Sequence, residues 1–446
     1  MRLRVRVRTP ALLLFAGMLC TTILVFVAAP QSAQTGVGNA QPASRIFDAA
    51  KVPMDNCNLP PGKAADPTKF NCYNPLGKTN YDEAKVPTYT LPDPLVMRNG
   101  EKVRDAATWN RRRRPELLRL FETNVYGRRP DWPENLPKKL MFEVTSEDRQ
   151  ALGGTAIHKQ VTVYFAGRKD GPKMDLSLYL PAGAGKPVPV FLGLSFGNAQ
   201  GANAQVLARG YGTATADYGN IERDRPDGIK SGVRPLFFKP EQTSPAADEW
   251  GAIGAWAWGL SRAMDYLETD KDVDAKRVIV YGHSRLGKVA LWAGAQDTRF
   301  ALVISNESGA AGAALARRAF GETPADSTRM FPYWFCANYK KYADHADQLP
   351  VDQHELLALI APRPLYVACA EEDLWGDPRG SFLSLVAAFP VYKLLGKPDP
   401  LGTTQMPGIS QPIGNTVGYH IRPGLHSLTD YDWAQYLNFA DKQFKK

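Results

Sequence analysis

The strongest local signal in the sequence is Arg277-Val-Ile-Val-Tyr-Gly-His-Ser-Arg-Leu-Gly-Lys-Val-Ala-Leu-Trp-Ala-Gly294. It predicts an apolar strand, a sharp turn and a helix that leaves the turn. Such a strained turn lifts the Ser284 hydroxyl above a sheet edge, and the small residues Gly282 and Gly287 let strand and helix pass closely. Backbone N–H groups at the helix N-terminus favour developing negative charge there. The stretch therefore predicts a nucleophile elbow.

The elbow motif is only partly met, because the spacing is Gly-x-Ser-x-x-Gly rather than Gly-x-Ser-x-Gly. The other interpretation of Ser284 is a plain turn or N-cap serine in a βα loop. Arg285 favours catalysis, since a guanidinium directly after a nucleophile can donate to the oxyanion of an acyl-transfer intermediate. We therefore expect Ser284 to be catalytic and Arg285 to assist it.

Strands and helices alternate on both sides of this stretch, as in an α/β protein. A helix is predicted over 108–126 and a longer one over 248–267. Several central strand candidates are apolar on both faces, which is typical of parallel strands covered on both sides. We predict an α/β-hydrolase fold with a mostly parallel central sheet and helices on both faces. The predicted strands are 158–166, 174–180, 188–194, 211–216, 278–281, 301–304 and 365–369.

The N-terminal segment is typical of an export signal. Arg2, Arg4, Arg6 and Arg8 precede an uncharged run from Ala11 to Ala29. We expect residues 1–33 to be a signal peptide that is removed, giving a secreted or periplasmic protein. The same run is long enough for an uncleaved membrane anchor. Residues 34–100 are predicted to form an extended arm that packs on the core, and 101–446 the catalytic domain.

Composition excludes several classes of protein. With 446 residues, 44% hydrophobic and 22% charged, the chain is neither disordered nor fibrous. The net charge of +9 includes the four N-terminal arginines, and the rest is too scattered to predict nucleic-acid binding. No Cys/His cluster has zinc-ligand spacing. Because acyl transfer through a serine needs neither metal nor cofactor, we expect none. Cys57 and Cys72 are candidates for a disulfide, and Cys336 and Cys369 for buried free thiols.

A catalytic serine needs a base, and the base needs an acid that orients it. His420 and His426 both follow the serine in the order that α/β-hydrolases use. His426 lies in a loop, whereas His420 lies within a strand-like segment, 417–421, and is expected to be structural. Glu307 and Asp373 each follow a strand and compete for the acid position, and their spacing does not choose between them.

These residues resemble a known family. Gly282-His-Ser-Arg-Leu-Gly-Lys288 is similar to the Gly-x-Ser-Arg-x-Gly-Lys signature of the glucuronoyl esterases, carbohydrate esterase family 15, in particular its bacterial branch. The likeness covers residues 100–440. It places a triad glutamate at Glu307, the base at His426 and, as in bacterial members, a second acid at Asp373. Further similar segments are Arg317-Arg-Ala-Phe-Gly-Glu-Thr323, Tyr333-Trp-Phe-Cys-Ala-Asn-Tyr339 and Pro362-Arg-Pro-Leu-Tyr-Val-Ala-Cys-Ala-Glu-Glu-Asp-Leu-Trp375.

The resemblance implies a carboxylic ester hydrolase of the 4-O-methyl-glucuronoyl methylesterase type. Such enzymes cleave the ester between a (4-O-methyl-)glucuronic acid branch of xylan and a lignin alcohol. Lys288 and Glu322 would then hydrogen-bond the sugar hydroxyls, and Trp375 would flank the sugar ring. Without the resemblance, the three are interpreted as a helix-surface cation, a loop carboxylate and a core aromatic residue.

One departure from the family concerns a disulfide. Fungal members pair a Cys just before the nucleophile with a Cys just after the catalytic His, positions that are His283 and Ser427 here. Their joint absence predicts that the loop of His426 is held by packing alone and that Arg285 has more freedom.

The sequence therefore predicts a serine esterase, and the resemblance implies that its partner is the glucuronoxylan–lignin ester. We expect a monomer with neither bound nucleic acid nor stable membrane contact after signal removal. One alternative is an acetyl-xylan or feruloyl-type esterase with the same triad. A second is a non-catalytic surface protein that binds glycan through Trp375 and neighbouring aromatic residues.

Overall fold

The computed structural model of the protein describes residues 74–134, 136–137, 139–197 and 203–445. All of these residues belong to one compact unit. The predicted signal peptide (1–33) and the candidate disulfide partners Cys57 and Cys72 lie outside the described residues. Within them, Cys336 and Cys369 are buried free thiols, as expected. None of the helices in these ranges has the length and apolar character needed to cross a bilayer.

In the described residues, ten strands form one sheet with the order β1-β2-β3-β5-β4-β6-β7-β8-β10-β9. The five central pairings, from β5-β4 to β8-β10, are parallel, and the pairings at both ends are antiparallel. The strands are β1 (Met141–Gln150), β2 (Ala156–Tyr164), β3 (Lys173–Pro181), β4 (Val188–Ser195), β5 (Gly212–Asp217), β6 (Val273–His283), β7 (Leu302–Asn306), β8 (Leu365–Ala370), β9 (Ile413–Gly414) and β10 (Val417–Arg422).

Helices cover both faces of this sheet. They are α1 (Ala106–Thr108), α2 (Arg114–Asn124), α3 (Ala151–Gly154), α4 (Ala204–Ala208), α5 (Tyr218–Ile221), α6 (Ala252–Leu267), α7 (Arg285–Gln296), α8 (Pro324–Met330), α9 (Gln353–Ala358), α10 (Pro378–Leu394) and α11 (Asp430–Phe444). A π-helical turn, Trp109–Arg113, joins α1 to α2.

The core is divided by the sheet. In β6, Val278 and Val280 pack in the cluster that contains α6 and α7, whereas Ile279 and Tyr281 face the cluster that contains α11. This alternation within an apolar run is the signature of a strand buried on both faces. It confirms the predicted α/β-hydrolase architecture with a covered central sheet.

Two local features differ from the sequence prediction. Strand β1 was not predicted, because most of its side chains are exposed and polar. Helix α6 begins at Ala252 rather than at Asp248. The preceding residues are extended instead, since Arg128 N donates to Asp248 O at 2.7 Å and Trp250 N donates to Arg128 O at 3.1 Å.

The topology brings four loops to one edge of the sheet. Strands β6, β7, β8 and β10 are neighbours and run parallel. Their carboxyl ends therefore meet, which is where α/β proteins place their ligands. The loops that follow them carry Ser284, Glu307, Asp373 and His426 respectively. Residues that are far apart in the sequence are thus collected into a single candidate site.

Candidate active site

Ser284 lies in a strained turn between β6 and α7. Its φ of 57° and ψ of −129° are rarely adopted by residues other than glycine. A Cβ at Gly282 would lie 2.0 Å from the Leu286 carbonyl oxygen, so the turn needs glycine there. In the described chain, Ser284 makes no side-chain capping bond to α7. The geometry is that of a nucleophile elbow rather than of an ordinary N-cap serine.

The loop after β10 brings His426 to this elbow. Its ring centroid lies 4.6 Å from that of His283, the residue before Ser284. His426 Nδ1 is 2.7 Å from Asp373 Oδ2 and 3.2 Å from Glu307 Oε2. Two carboxyls at Nδ1 favour the tautomer with its proton there, which leaves Nε2 as the basic nitrogen.

His420 lies elsewhere in the site. It is buried in β10, where Nε2 is 2.9 Å from Asp432 Oδ1 and Nδ1 is 3.0 Å from the Tyr366 hydroxyl. Both ring nitrogens are therefore occupied by buried partners. This placement agrees with a structural residue.

The two candidate acids both contact the imidazole, but their surroundings differ. Glu307 also accepts the Ser427 backbone N–H at 2.8 Å and an Arg422 N–H at 2.6 Å. Burial and the nearby Asp373 carboxylate raise the pKa of Glu307, and the Arg422 charge opposes the rise. Asp373 makes the shorter contact to His426. The two carboxyls thus reach the same imidazole nitrogen from neighbouring strand ends.

Arg285, the first residue of α7, is held beside the elbow. It donates from Nη1 to Asp224, and its guanidinium carbon lies 5.0 Å from the Trp334 ring centroid. Asp224 also accepts from the Tyr333 hydroxyl at 2.9 Å and from Trp334 Nε1 at 2.6 Å. The expected freedom of Arg285 is therefore not seen, because a carboxylate and an aromatic face restrain it.

The three residues expected to contact sugar are linked by hydrogen bonds. Lys288 lies one turn of α7 beyond Arg285. Lys288 Nζ donates to Glu322 Oε2 at 2.6 Å and to the Ala310 carbonyl at 2.5 Å. Glu322 N donates to the Trp375 carbonyl at 2.9 Å. Lys288 and Glu322 are buried, so neither is the surface group that its sequence context suggested. Trp375 is half-buried.

The donor set at the site does not suit a metal ion. Ligand atoms of His283, Glu307 and His426 lie within 4.8 Å of one another. The Glu307 carboxyl, however, already accepts from the Arg422 guanidinium and from the Ser427 amide. A cation would have to displace or repel these donors, so the residues present do not fit a metal centre.

Sequence reasoning missed a group of buried polar residues behind the triad. Asn306 Oδ1 and His283 Nδ1 are 2.5 Å apart, and Asn306 Nδ2 donates to Asp432 at 3.2 Å. Asp432 accepts from Arg422 Nε at 2.9 Å. The only local signal was the capping box of Thr429 and Asp432, which marks the start of α11.

This group corrects the expectation that the His426 loop is held by packing alone. Arg422 donates to the carbonyls of Pro423 and Leu425 at 3.0 and 3.2 Å and also to the carbonyl of Ser427. The loop is therefore tied down by charge-assisted hydrogen bonds in place of the missing disulfide.

Comparison with known proteins shows which family the chain is similar to. A family model described as "Glucuronyl esterase, fungi" matches residues 162–396. The chain is 46% identical to "Carbohydrate esterase MZ0003" from an unknown prokaryotic organism, over 81% of this chain and 91% of that protein. It is 32% identical to a 4-O-methyl-glucuronoyl methylesterase of Podospora anserina, over 72% of this chain and 63% of that protein.

A solved structure shows the same likeness in three dimensions. The glucuronoyl esterase from Solibacter usitatus has a TM-score of 0.76 and 50% identity, over 81% of this chain and 100% of that one. The sequence identity is thus higher to these two prokaryotic proteins than to the fungal one. The chain belongs to the glucuronoyl esterase family, carbohydrate esterase family 15, in its bacterial branch.

Proposed function

We propose that this protein is a serine esterase that hydrolyses the ester between a (4-O-methyl-)glucuronic acid branch of glucuronoxylan and an alcohol of lignin. The single observation that carries the proposal is the contact of His426 Nδ1 with two buried carboxyls, beside a strained elbow at Ser284. Proteins named for this activity are among the relatives of the chain, which supports the acyl group.

In the acylation step, Ser284 Oγ attacks the uronoyl ester carbonyl while His426 Nε2 takes its proton. Asp373 and Glu307 stabilise the imidazolium that forms at Nδ1. The imidazolium then gives its proton to the leaving alcohol, and a glucuronoyl ester remains on Ser284. Water, deprotonated by the same nitrogen, hydrolyses this ester and restores the serine.

Negative charge develops on the carbonyl oxygen in both steps. Backbone N–H groups at the start of α7 directly follow Ser284, and Arg285 is the first residue of that helix. Donors that are fixed before the reaction stabilise the oxyanion without reorganisation. The ion pair with Asp224 keeps the guanidinium in place, and its remaining N–H groups can donate to the oxyanion.

Lys288 and Glu322 supply the recognition of the sugar in this proposal. Two N–H groups of Lys288 are used by Glu322 and by Ala310, so the third can donate to a hydroxyl. Glu322 is itself oriented by the Ser327 hydroxyl, which donates to it at 3.0 Å. A pre-oriented pair of opposite charge offers a donor and an acceptor to the neighbouring hydroxyls of a pyranose.

The acyl group is tested with a panel of esters. We expect benzyl glucuronate to be hydrolysed with a kcat/KM at least about tenfold above that for benzyl galacturonate, acetylated xylan or a feruloyl ester, because the pocket would pair with the sugar hydroxyls. Preference for an acetyl or feruloyl ester would keep the triad and move the function to another carbohydrate esterase. Saccharide binding without turnover of any ester would support the glycan-binding alternative.

Export is a further part of the proposal. It is supported by the basic and apolar pattern of residues 1–33. Its test is the N-terminal sequence of the protein recovered from the periplasm or medium of an expressing host. Recovery of uncleaved protein from membranes would contradict it.

A further inference from the structure

Arg422 ends the strand β10 and lies between two buried carboxyls behind the candidate triad. Its Nε donates to Asp432 Oδ2 at 2.9 Å, and its Nη2 donates to Glu307 Oε1 at 2.6 Å. The arginine is only 3% exposed. A buried guanidinium that bridges two carboxylates uses the planar fork geometry that distinguishes arginine from lysine.

The same guanidinium binds the loop on both sides of His426. Nη1 donates to the carbonyls of Pro423 and Leu425, and Nη2 donates to the carbonyl and, at 3.1 Å, to the hydroxyl of Ser427. The residues that flank the imidazole are therefore attached to one rigid cation. Within the described chain, the loop has no covalent cross-link that could do the same.

Asp432 is a firm anchor for this cation. Its carboxylate accepts from Thr429 N at 2.8 Å, from His420 Nε2 at 2.9 Å and from Asn306 Nδ2 at 3.2 Å. Although burial opposes ionisation, the hydrogen bonds from His420 and Thr429 and the Arg422 charge hold the pKa of Asp432 at about 2. Asp432 is therefore charged at every working pH and held from three sides.

We infer that Arg422 is a positioning residue that fixes the His426 loop and the Glu307 carboxyl in one arrangement. This inference rests on the proposed function for its effect on rate. A catalytic base that is already in place needs no ordering during the reaction, and a displacement of about 1 Å can cost a factor of about 10². The effect should fall on kcat, since Arg422 holds the loop that carries His426, the residue that moves protons.

The test compares Arg422→Gln with a matched control, Arg113→Gln. Arg113 is also 3% exposed and donates to Glu355 at 2.8 Å and to Glu116 at 2.7 Å. None of these residues belongs to the candidate site. Both variants lose a buried ion pair and should unfold at lower urea concentration.

On benzyl glucuronate, or on whichever ester the wild type hydrolyses best, Arg422→Gln should lower kcat about 100-fold with KM changed less than about threefold. Arg113→Gln should keep kcat within about twofold when both are assayed below their unfolding transitions. Arg422→Lys keeps the charge but not the fork, so it should fall between the wild type and Arg422→Gln, at about a tenfold loss. It also replaces Arg422→Gln if that variant does not fold.

A second readout does not depend on activity. Backbone amides of 424–428 should exchange with deuterium at least about tenfold faster in Arg422→Gln than in Arg113→Gln or the wild type. Equal exchange, equal kcat or a loss confined to KM would each overturn the inference. Should the wild type hydrolyse no glucuronate ester, the proposed function fails, and the exchange experiment still decides whether Arg422 holds the loop.

Discussion

The two carboxyls at His426 lead to a prediction about how their effects combine. The change Asp373→Asn removes one cause of the raised pKa of Glu307, so Glu307 ionises more readily. The Glu307 carboxylate can then stabilise the imidazolium in place of Asp373. The contact distances of 2.7 and 3.2 Å to His426 Nδ1 allow either carboxyl to do so. Each single variant should therefore retain much of the activity.

The magnitudes follow from the hydrogen bonds involved. One charge-assisted bond contributes about 1.5 to 3 kcal/mol, and compensation by the second carboxyl should reduce the loss to about tenfold in kcat for Asp373→Asn or Glu307→Gln. With both changed, no carboxylate is left at Nδ1, and the loss should approach the factor of about 10⁴ that removal of a sole triad acid causes. The double variant should thus lose far more than the product of the two single losses.

The assay is kcat for benzyl glucuronate at pH 7.5, with thermal unfolding of each variant as the check on folding. Glu372→Gln, a carboxylate change next to Asp373 in the same loop, serves as the control and should keep full activity. Multiplicative losses would refute the shared function. A loss of about 10⁴ in one single variant with a neutral result in the other would show a triad with one acid.

Three further predictions concern single residues around the triad. Arg285→Met should lower kcat about 10² to 10³-fold with little change in KM, because it removes an oxyanion donor; steady-state kinetics checks this, and an effect on KM alone would contradict it. Lys288→Met should lower the free energy of unfolding by about 3 to 5 kcal/mol, because Glu322 is left charged and buried. Lys288→Met should also raise KM, because a donor to the sugar is lost. Adding Glu322→Gln should restore the free energy of unfolding in urea titrations but not the KM, and recovery of both would contradict a function in sugar binding. Burial and the neighbouring His426 lower the pKa of His283 from 6.5 to about 4. The unfolded chain therefore binds a proton first as the pH falls from about 6.5 to about 4, and the folded state loses up to about 3 kcal/mol over that window. Urea unfolding at pH 7.5 and 4.5 measures this difference in the free energy of unfolding. In His283→Asn, the part of the difference that comes from His283 should be absent.

Much of this fold was predictable because its signals are local. The strand, turn and helix around Ser284 occupy one continuous segment, and the apolar runs of β4, β6, β7 and β8 read as buried strands. Each candidate residue follows a predicted strand in the sequence. Because the carboxyl ends of parallel strands meet at one edge of the sheet, the four loops could be placed there. Strand β1 was missed because its exposed, polar side chains carry no periodic apolar signal.

The choice of partners within the site was not predictable, since it depends on side-chain distances that form only on folding. Arg422 pairs with Glu307, a residue far away in the sequence, and nothing local distinguishes it from a solvated arginine. Arg113 is a similar case. It lies in a run of four arginines, 111–114, yet it is buried against Glu355. Tertiary ion pairs of this kind override the local pattern of charge.

In the proposed mechanism, Ser284 attacks a glucuronoyl ester. The most direct measurement is the kcat/KM for benzyl glucuronate of the wild type and of Ser284→Ala, with circular dichroism to confirm that both are folded. We expect clear turnover by the wild type and a loss on the order of 10⁴-fold or more in the variant, as for other serine triads. A folded Ser284→Ala protein that keeps its rate would show that Ser284 is not the nucleophile.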